Sequence, residues 1–156
     1  MSLQQDYRPK SFKTFIGNED VVESLTKILK RKKIPSAFLF TGPSGCGKTT
    51  IPRIIARMFK VDHDFKELNA ANDRGIKPIR ALIDDMSFQP LHGDKKFILL
   101  DEAHMITGTA QEALLKALEE PPPWVTWLIC TTNPEALKGT LKRRCHNYEL
   151  SADILK

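Results

Sequence analysis

Two groups of residues in this chain have the types and spacing to handle a polyphosphate. The first is Gly42-Pro43-Ser44-Gly45-Cys46-Gly47-Lys48-Thr49, a complete G-x-x-x-x-G-K-[ST] match. Its glycines let the backbone wrap so that successive N–H groups point inward, and the helix that follows adds its partial positive charge. Lys48 then reaches the β- and γ-phosphates, and the Thr49 hydroxyl ligates Mg²⁺. With Thr50, the whole stretch is the candidate phosphate cradle. The second group is Asp101-Glu102, directly after the apolar run Phe97-Ile98-Leu99-Leu100. Asp101 there can hold the water shell of Mg²⁺ beside Thr49, and Glu102 can polarise a water for in-line attack on a γ-phosphate. Without the cradle, Asp101-Glu102 would read equally well as an exposed acidic turn.

These groups need elements to hold them. Ala37-Phe38-Leu39-Phe40 predicts a buried strand before the glycine-rich loop. Ile51, Ile54, Ile55, Met58 and Phe59 predict an apolar helical face after it. Pro52 falls early in that helix and is expected to remove a hydrogen bond or bend the first turns. The apolar run Phe97 to Leu100, with the basic Lys95 and Lys96 before it and acids after it, predicts a central parallel strand ending in Asp101. Trp127 to Thr132 predicts another, with Asn133 at the same sheet edge. Phe65 to Ala70 and His146 to Leu150 predict two further strands.

Between the strands, Asn18 is expected to cap a helix with the face Val21, Val22, Leu25, Ile28 and Leu29. Lys30-Arg31-Lys32-Lys33 closes it as a solvated end, with direct DNA contact as the sharper alternative. Asn72 to Gly75 predicts a turn, followed by a helix through Ile79, Leu82, Ile83 and Met86. Thr109 and Glu112 spell a capping box opening the helix of Ala113, Leu114, Ala117 and Leu118, which Pro121-Pro122-Pro123 must end. Trp124 and Trp127 read as core or core-edge residues. Alternating strands and helices predict an α/β fold with a parallel sheet flanked by helices, a P-loop NTPase three-layer sandwich. Ligands in such sheets bind beyond the carboxyl ends of the strands, where Lys48, Thr49, Asp101, Glu102 and Asn133 are expected.

Composition narrows the setting. The chain has 156 residues, enough for one domain with a proper core, and 41% hydrophobic and 28% charged residues are ordinary for a globular protein. A net charge of +5 leans towards a polyanionic partner, part of which the nucleotide itself accounts for. Cys46, Cys130 and Cys145 form neither a disulfide framework nor a zinc pattern, which fits a reducing compartment. No apolar run is long enough to span a membrane.

The order of motifs carries a resemblance. Tyr7-Arg8-Pro9, Ile16-Gly17, the P-loop, Leu100-Asp101-Glu102-Ala103-His104-Met105, Ala113-Leu114-Leu115-Lys116-Ala117-Leu118-Glu119-Glu120-Pro121-Pro122, Thr132-Asn133 and Arg144-Cys145 look like the AAA+ ATPase domain of clamp-loader subunits. The stretch from Ala113 to Pro122 is similar to the bacterial DNA polymerase III gamma/tau subunit, and Asn69 to Ile76 to the replication factor C small subunit. The resemblance runs from about Tyr7 to Leu150.

It implies an ATP- and Mg²⁺-dependent ATPase working in a pentameric ring of subunits, opening a sliding clamp and placing it on primer–template DNA. Tyr7, Arg8, Pro9, Ile16 and Gly17 would flank the adenine and ribose, in an N-terminal strap over residues 1–17 ahead of a nucleotide-binding domain over 18–156. Asn133 would be the sensor that orients the attacking water or the γ-phosphate. Arg144 matches the arginine of the family's S-R-C motif, which acts on ATP held by the neighbouring subunit. Arg143 stands where that motif has serine and competes for the role. Arg74 and Arg80 would track the DNA backbone without reading sequence. The gamma/tau zinc module is absent, and the chain stops where the family continues into a helical lid and collar, so it reads as an excised nucleotide-binding domain. A bacterial or viral source implies the cytoplasm and nucleoid, a eukaryotic one the nucleus. The alternatives are another AAA+ DNA-processing ATPase (a branch-migration motor or helicase loader), a loader subunit that lends an arginine but hydrolyses nothing, and, from Asp101-Glu102-Ala103-His104, a DEAH-type helicase fragment.

Overall fold

The computed structural model describes residues 19–31, 33–43, 49–59, 64–91 and 93–151. Five strands form one all-parallel sheet: β1 (Ala37–Thr41), β2 (Phe65–Asn69), β3 (Lys96–Asp101), β4 (Val125–Thr131) and β5 (His146–Glu149). Their order across the sheet is β2-β3-β4-β1-β5. The helices are α1 (Glu19–Leu29), α2 (Thr50–Met58), α3 (Ile76–Met86), α4 (Gly108–Glu119) and a short α5 (Gly139–Arg143).

The period of two along the strands explains the layering. Ala37 and Leu39 of β1 join Ile98, Leu100, Trp127 and Ile129 in a cluster closed by Ile79 and Met86 of α3, Leu114 and Leu118 of α4, and Leu141 of α5. Phe38 and Phe40 face the other way, with Phe97, Leu99, Leu128 and Tyr148, and meet Leu25, Ile28 and Leu29 of α1 and Ile51 and Ile55 of α2. Both faces of β3 and β4 are therefore covered, which is why these strands read as continuous apolar runs rather than alternating ones. The sequence expectation of an α/β sheet wrapped by helices holds, with β3 and β4 inside the sheet.

Four local expectations are corrected. The N-cap of α4 is Thr107, whose Oγ1 accepts a hydrogen bond from the Ala110 N–H at 3.2 Å. The box expected from Thr109 to Glu112 lies inside the helix, and Glu112 instead pairs with Lys138 Nζ at 3.0 Å. Met58 is 46% exposed, because it lies in the last turn of α2 where the apolar face leaves the sheet. Pro52 occupies the first turn of α2, where backbone N–H groups lack intrahelical acceptors in any case, so its ring is tolerated and buried. Lys96, expected simply as a base ahead of the strand, is buried: its Nζ donates to the Asp85 carbonyl at 2.8 Å and lies 3.9 Å from Asp85 Oδ2. Asn18 and the strap over 1–17 lie outside the described residues.

Candidate nucleotide-binding site

Sheet register brings the ends of β1, β3 and β4 to one edge. Thr41 at the end of β1 pairs with Thr131 at the end of β4, and Leu100 pairs with Ile129. The chain thus leaves the sheet at Gly42, Glu102 and Thr132 on neighbouring strands, with β4 between the other two. Gly42 leaves β1 with φ of 150°, a setting that a side chain disfavours. Thr49 stands at the N-cap of α2 and makes no capping hydrogen bond, and Thr50 opens the helix. Ser44, Gly45, Cys46, Gly47 and Lys48, like Tyr7, Arg8, Pro9, Ile16 and Gly17, lie outside the described residues.

The turn after β3 is tightly specified. Glu102 adopts the left-handed conformation, φ 53° and ψ 43°, uncommon for a residue with a side chain and costing roughly 1 kcal/mol or more. Its N–H donates to Asp101 Oδ1 at 2.9 Å, and its carbonyl accepts from the Met105 N–H at 2.9 Å. Asp101 therefore uses one carboxylate oxygen to hold the turn, and Oδ2 has no partner among the described residues. A hard carboxylate oxygen and the Thr49 hydroxyl are the donor types that Mg²⁺ takes.

A polar chain that sequence reasoning missed links this turn to β4. His104 Nδ1 lies 2.8 Å from Thr131 Oγ1, and its Nε2 lies 3.4 Å from Glu102 Oε2. The same Thr131 oxygen accepts from the Asn133 N–H at 3.0 Å. Asn133 itself is exposed, two residues beyond β4. The buried Gln111 of α4 secures the segment beyond it, donating from Nε2 to the Ala136 carbonyl at 3.2 Å and accepting from the Lys138 N–H at 2.9 Å. The only sequence signal for these links was a polar residue inside an otherwise apolar helix face (Gln111) and a threonine closing an apolar strand (Thr131).

The remaining candidates lie elsewhere. Arg144 follows α5 on the surface, with Nη2 3.8 Å from Glu119 Oε1, and Arg143 beside it is exposed too. Next to them, burial pushes the Cys145 thiol up to about 12, with Sγ donating to the Leu141 carbonyl. Arg74 and Arg80 are both exposed, one before α3 and one within it. Among the described residues no helix is long and apolar enough to cross a membrane.

Comparison with known proteins gives this geometry a family. Residues 62–153 match the family described as DNA polymerase III, delta subunit. The chain is 33% identical over 172 aligned positions to the DNA polymerase III subunit tau/gamma of Haemophilus influenzae, covering 96% of this chain and 25% of that protein. It is 34% identical to the gamma/tau subunit of Mycobacterium tuberculosis, covering 95% of this chain and 30% of that one. The chain thus spans under a third of the length of these relatives. Its fold is similar to that of a DNA polymerase III gamma subunit-related protein of Thermotoga maritima, with TM-score 0.71 and 24% identity over 81% of this chain and 44% of that one. It also resembles the Thermotoga maritima RuvB Holliday junction branch migration motor, with TM-score 0.73 and 24% identity over 92% of this chain and 48% of that one. The matched family model and these relatives show that the chain belongs to the DNA polymerase III gamma/tau subunit family.

Proposed function

We propose that this chain is the ATP-binding and ATP-hydrolysing motor domain of a DNA polymerase clamp loader, acting in the cytoplasm to open a sliding clamp and place it on primer–template DNA. The observation that carries the reading is the shared sheet edge, where Asp101-Glu102 leaves β3 one strand away from the loop that leaves β1 at Gly42. Lys48 and the N–H groups of Gly42 to Thr50 neutralise and orient the phosphates. Thr49, and Asp101 through water, hold Mg²⁺, which supplies charge neutralisation on the phosphate oxygens when bound. Glu102 accepts a proton from the attacking water, and Asn133 orients that water or the γ-phosphate. Tyr7, Arg8, Pro9, Ile16 and Gly17 enclose the base.

Arg144 serves the ATP of a neighbouring subunit. Its ion pair with Glu119 is half-exposed, and such pairs contribute only about 0–1 kcal/mol, so it is released at little cost. Arg74 and Arg80, exposed at the start of α3, contact DNA phosphates. A branch-migration motor shares the fold, but the relatives matched over nearly the whole chain bear the names of polymerase subunits. Titration with a fluorescent ATP analogue tests the reading. Lys48→Ala weakens binding at least ten-fold, and undiminished binding in that variant would place the nucleotide elsewhere.

A further inference from the structure

From the contacts between the β3 turn and the end of β4, we infer that His104 is a positioning residue that aims the Glu102 carboxylate and ties it to Thr131 and the Asn133 backbone. The inference rests on the ATPase reading above. The ring stands between the two groups, with Nε2 3.4 Å from Glu102 Oε2, an oxygen that only accepts when ionised, so the tautomer protonated on Nε2 directs its proton at the carboxylate. Thr131 Oγ1 already accepts from the Asn133 N–H, and its own hydroxyl proton is available to His104 Nδ1 at 2.8 Å. The ring thus bridges two strand ends with one nitrogen towards each.

Glu102 needs such a bridge. Its backbone is held in the left-handed region by Asp101 and Met105, but among the described residues its carboxylate has no hydrogen-bond partner and touches His104 alone as an ion-pair contact. A 3.4 Å separation is long for a hydrogen bond, so the carboxylate is steered and not locked. That suits a base which must turn towards water when nucleotide is in place. Because the same threonine oxygen holds the N–H of Asn133, any shift of Asn133 on meeting phosphate reaches Glu102 through a single ring.

The test measures ATP turnover and nucleotide affinity in the assembled loader for wild type, His104→Ala, His104→Gln and Thr131→Val. His104→Ala is expected to lower kcat about ten-fold, a fraction of the ~10²–10⁴ that a general base supplies, with affinity unchanged within about two-fold. His104→Gln, whose amide N–H reaches towards Glu102, restores most of the loss, and Thr131→Val falls in the same direction as His104→Ala. An unchanged kcat in His104→Ala, or a loss that His104→Gln does not restore, overturns the inference. The ¹⁵N signals of the His104 ring supply a readout that needs no hydrolysis. They shift on Glu102→Ala if the two side chains touch, and identical spectra overturn the inference whether or not the chain hydrolyses ATP. Wild type without turnover, by contrast, sinks the ATPase reading itself.

Discussion

Glu102 occupies a left-handed backbone position that few residues with side chains adopt, held by an N–H to Asp101 Oδ1 and a carbonyl to Met105. The turn takes up Asp101 Oδ1, while Oδ2 has no partner among the described residues. Because an amide preserves shape, Glu102→Gln is expected to bind nucleotide with wild-type affinity and to lose turnover by at least a hundred-fold, measured as phosphate release. Turnover equal to wild type would remove Glu102 from the mechanism. Cys145 supplies a second prediction. Burial raises its thiol from 9.0 to about 12, so the folded state favours the neutral form. Its stabilising contribution is whole below the unfolded value and is lost as pH rises from about 9 towards about 12, at up to ~1.4 kcal/mol per pH unit. Urea unfolding between pH 8 and pH 10 is expected to show a steeper loss in wild type than in Cys145→Ala. Parallel slopes would mean that the buried thiol is not the cause.

At the scale of elements, the segment that carries Asn133 is tied to α4 as well as to its own turn, in which the Ala136 N–H donates to the Asn133 carbonyl at 3.2 Å. Gln111 bonds Ala136 and Lys138 from within the helix, so Gln111→Leu leaves a carbonyl and an N–H without partners. That costs about 1–3 kcal/mol, read as a lower urea midpoint with an unchanged slope. A midpoint equal to wild type would show that the segment holds itself. The same elements show what the sequence carried and what it hid. The runs at Ala37–Phe40 and Phe97–Leu100 identified buried parallel strands because both their faces are covered, and the placement of the candidate edge followed from that. The cap of α4 was misread because Thr107 and Thr109 differ only in which one meets the Ala110 N–H, a three-dimensional fact. Lys96 read only as a basic residue ahead of the strand because pattern alone does not reveal the Asp85 carbonyl that it meets. His104 was visible only as part of a tetrapeptide, since its meaning depends on Thr131, far along the chain and adjacent only through the pairing of β3 with β4.

At the scale of the molecule, the chain leaves β1 at Gly42 and β3 at Glu102 on one sheet edge, while Arg144 stands on the surface beside Glu119. On the proposed function, that site would be half of a catalytic centre, completed by Arg144 of the next subunit. An arginine supplied in this way is worth roughly 10³–10⁵ in turnover in related phosphoryl transfers. The direct measurement is ATP hydrolysis per chain, monomeric against assembled, with oligomeric state determined in the same sample. Monomers are expected to be slower than the assembled ring by at least about a thousand-fold, and a ring of Arg144→Ala subunits to fall to the monomer rate while still binding ATP. Hydrolysis by a proven monomer at the assembled rate, untouched by Arg144→Ala, would contradict that expectation.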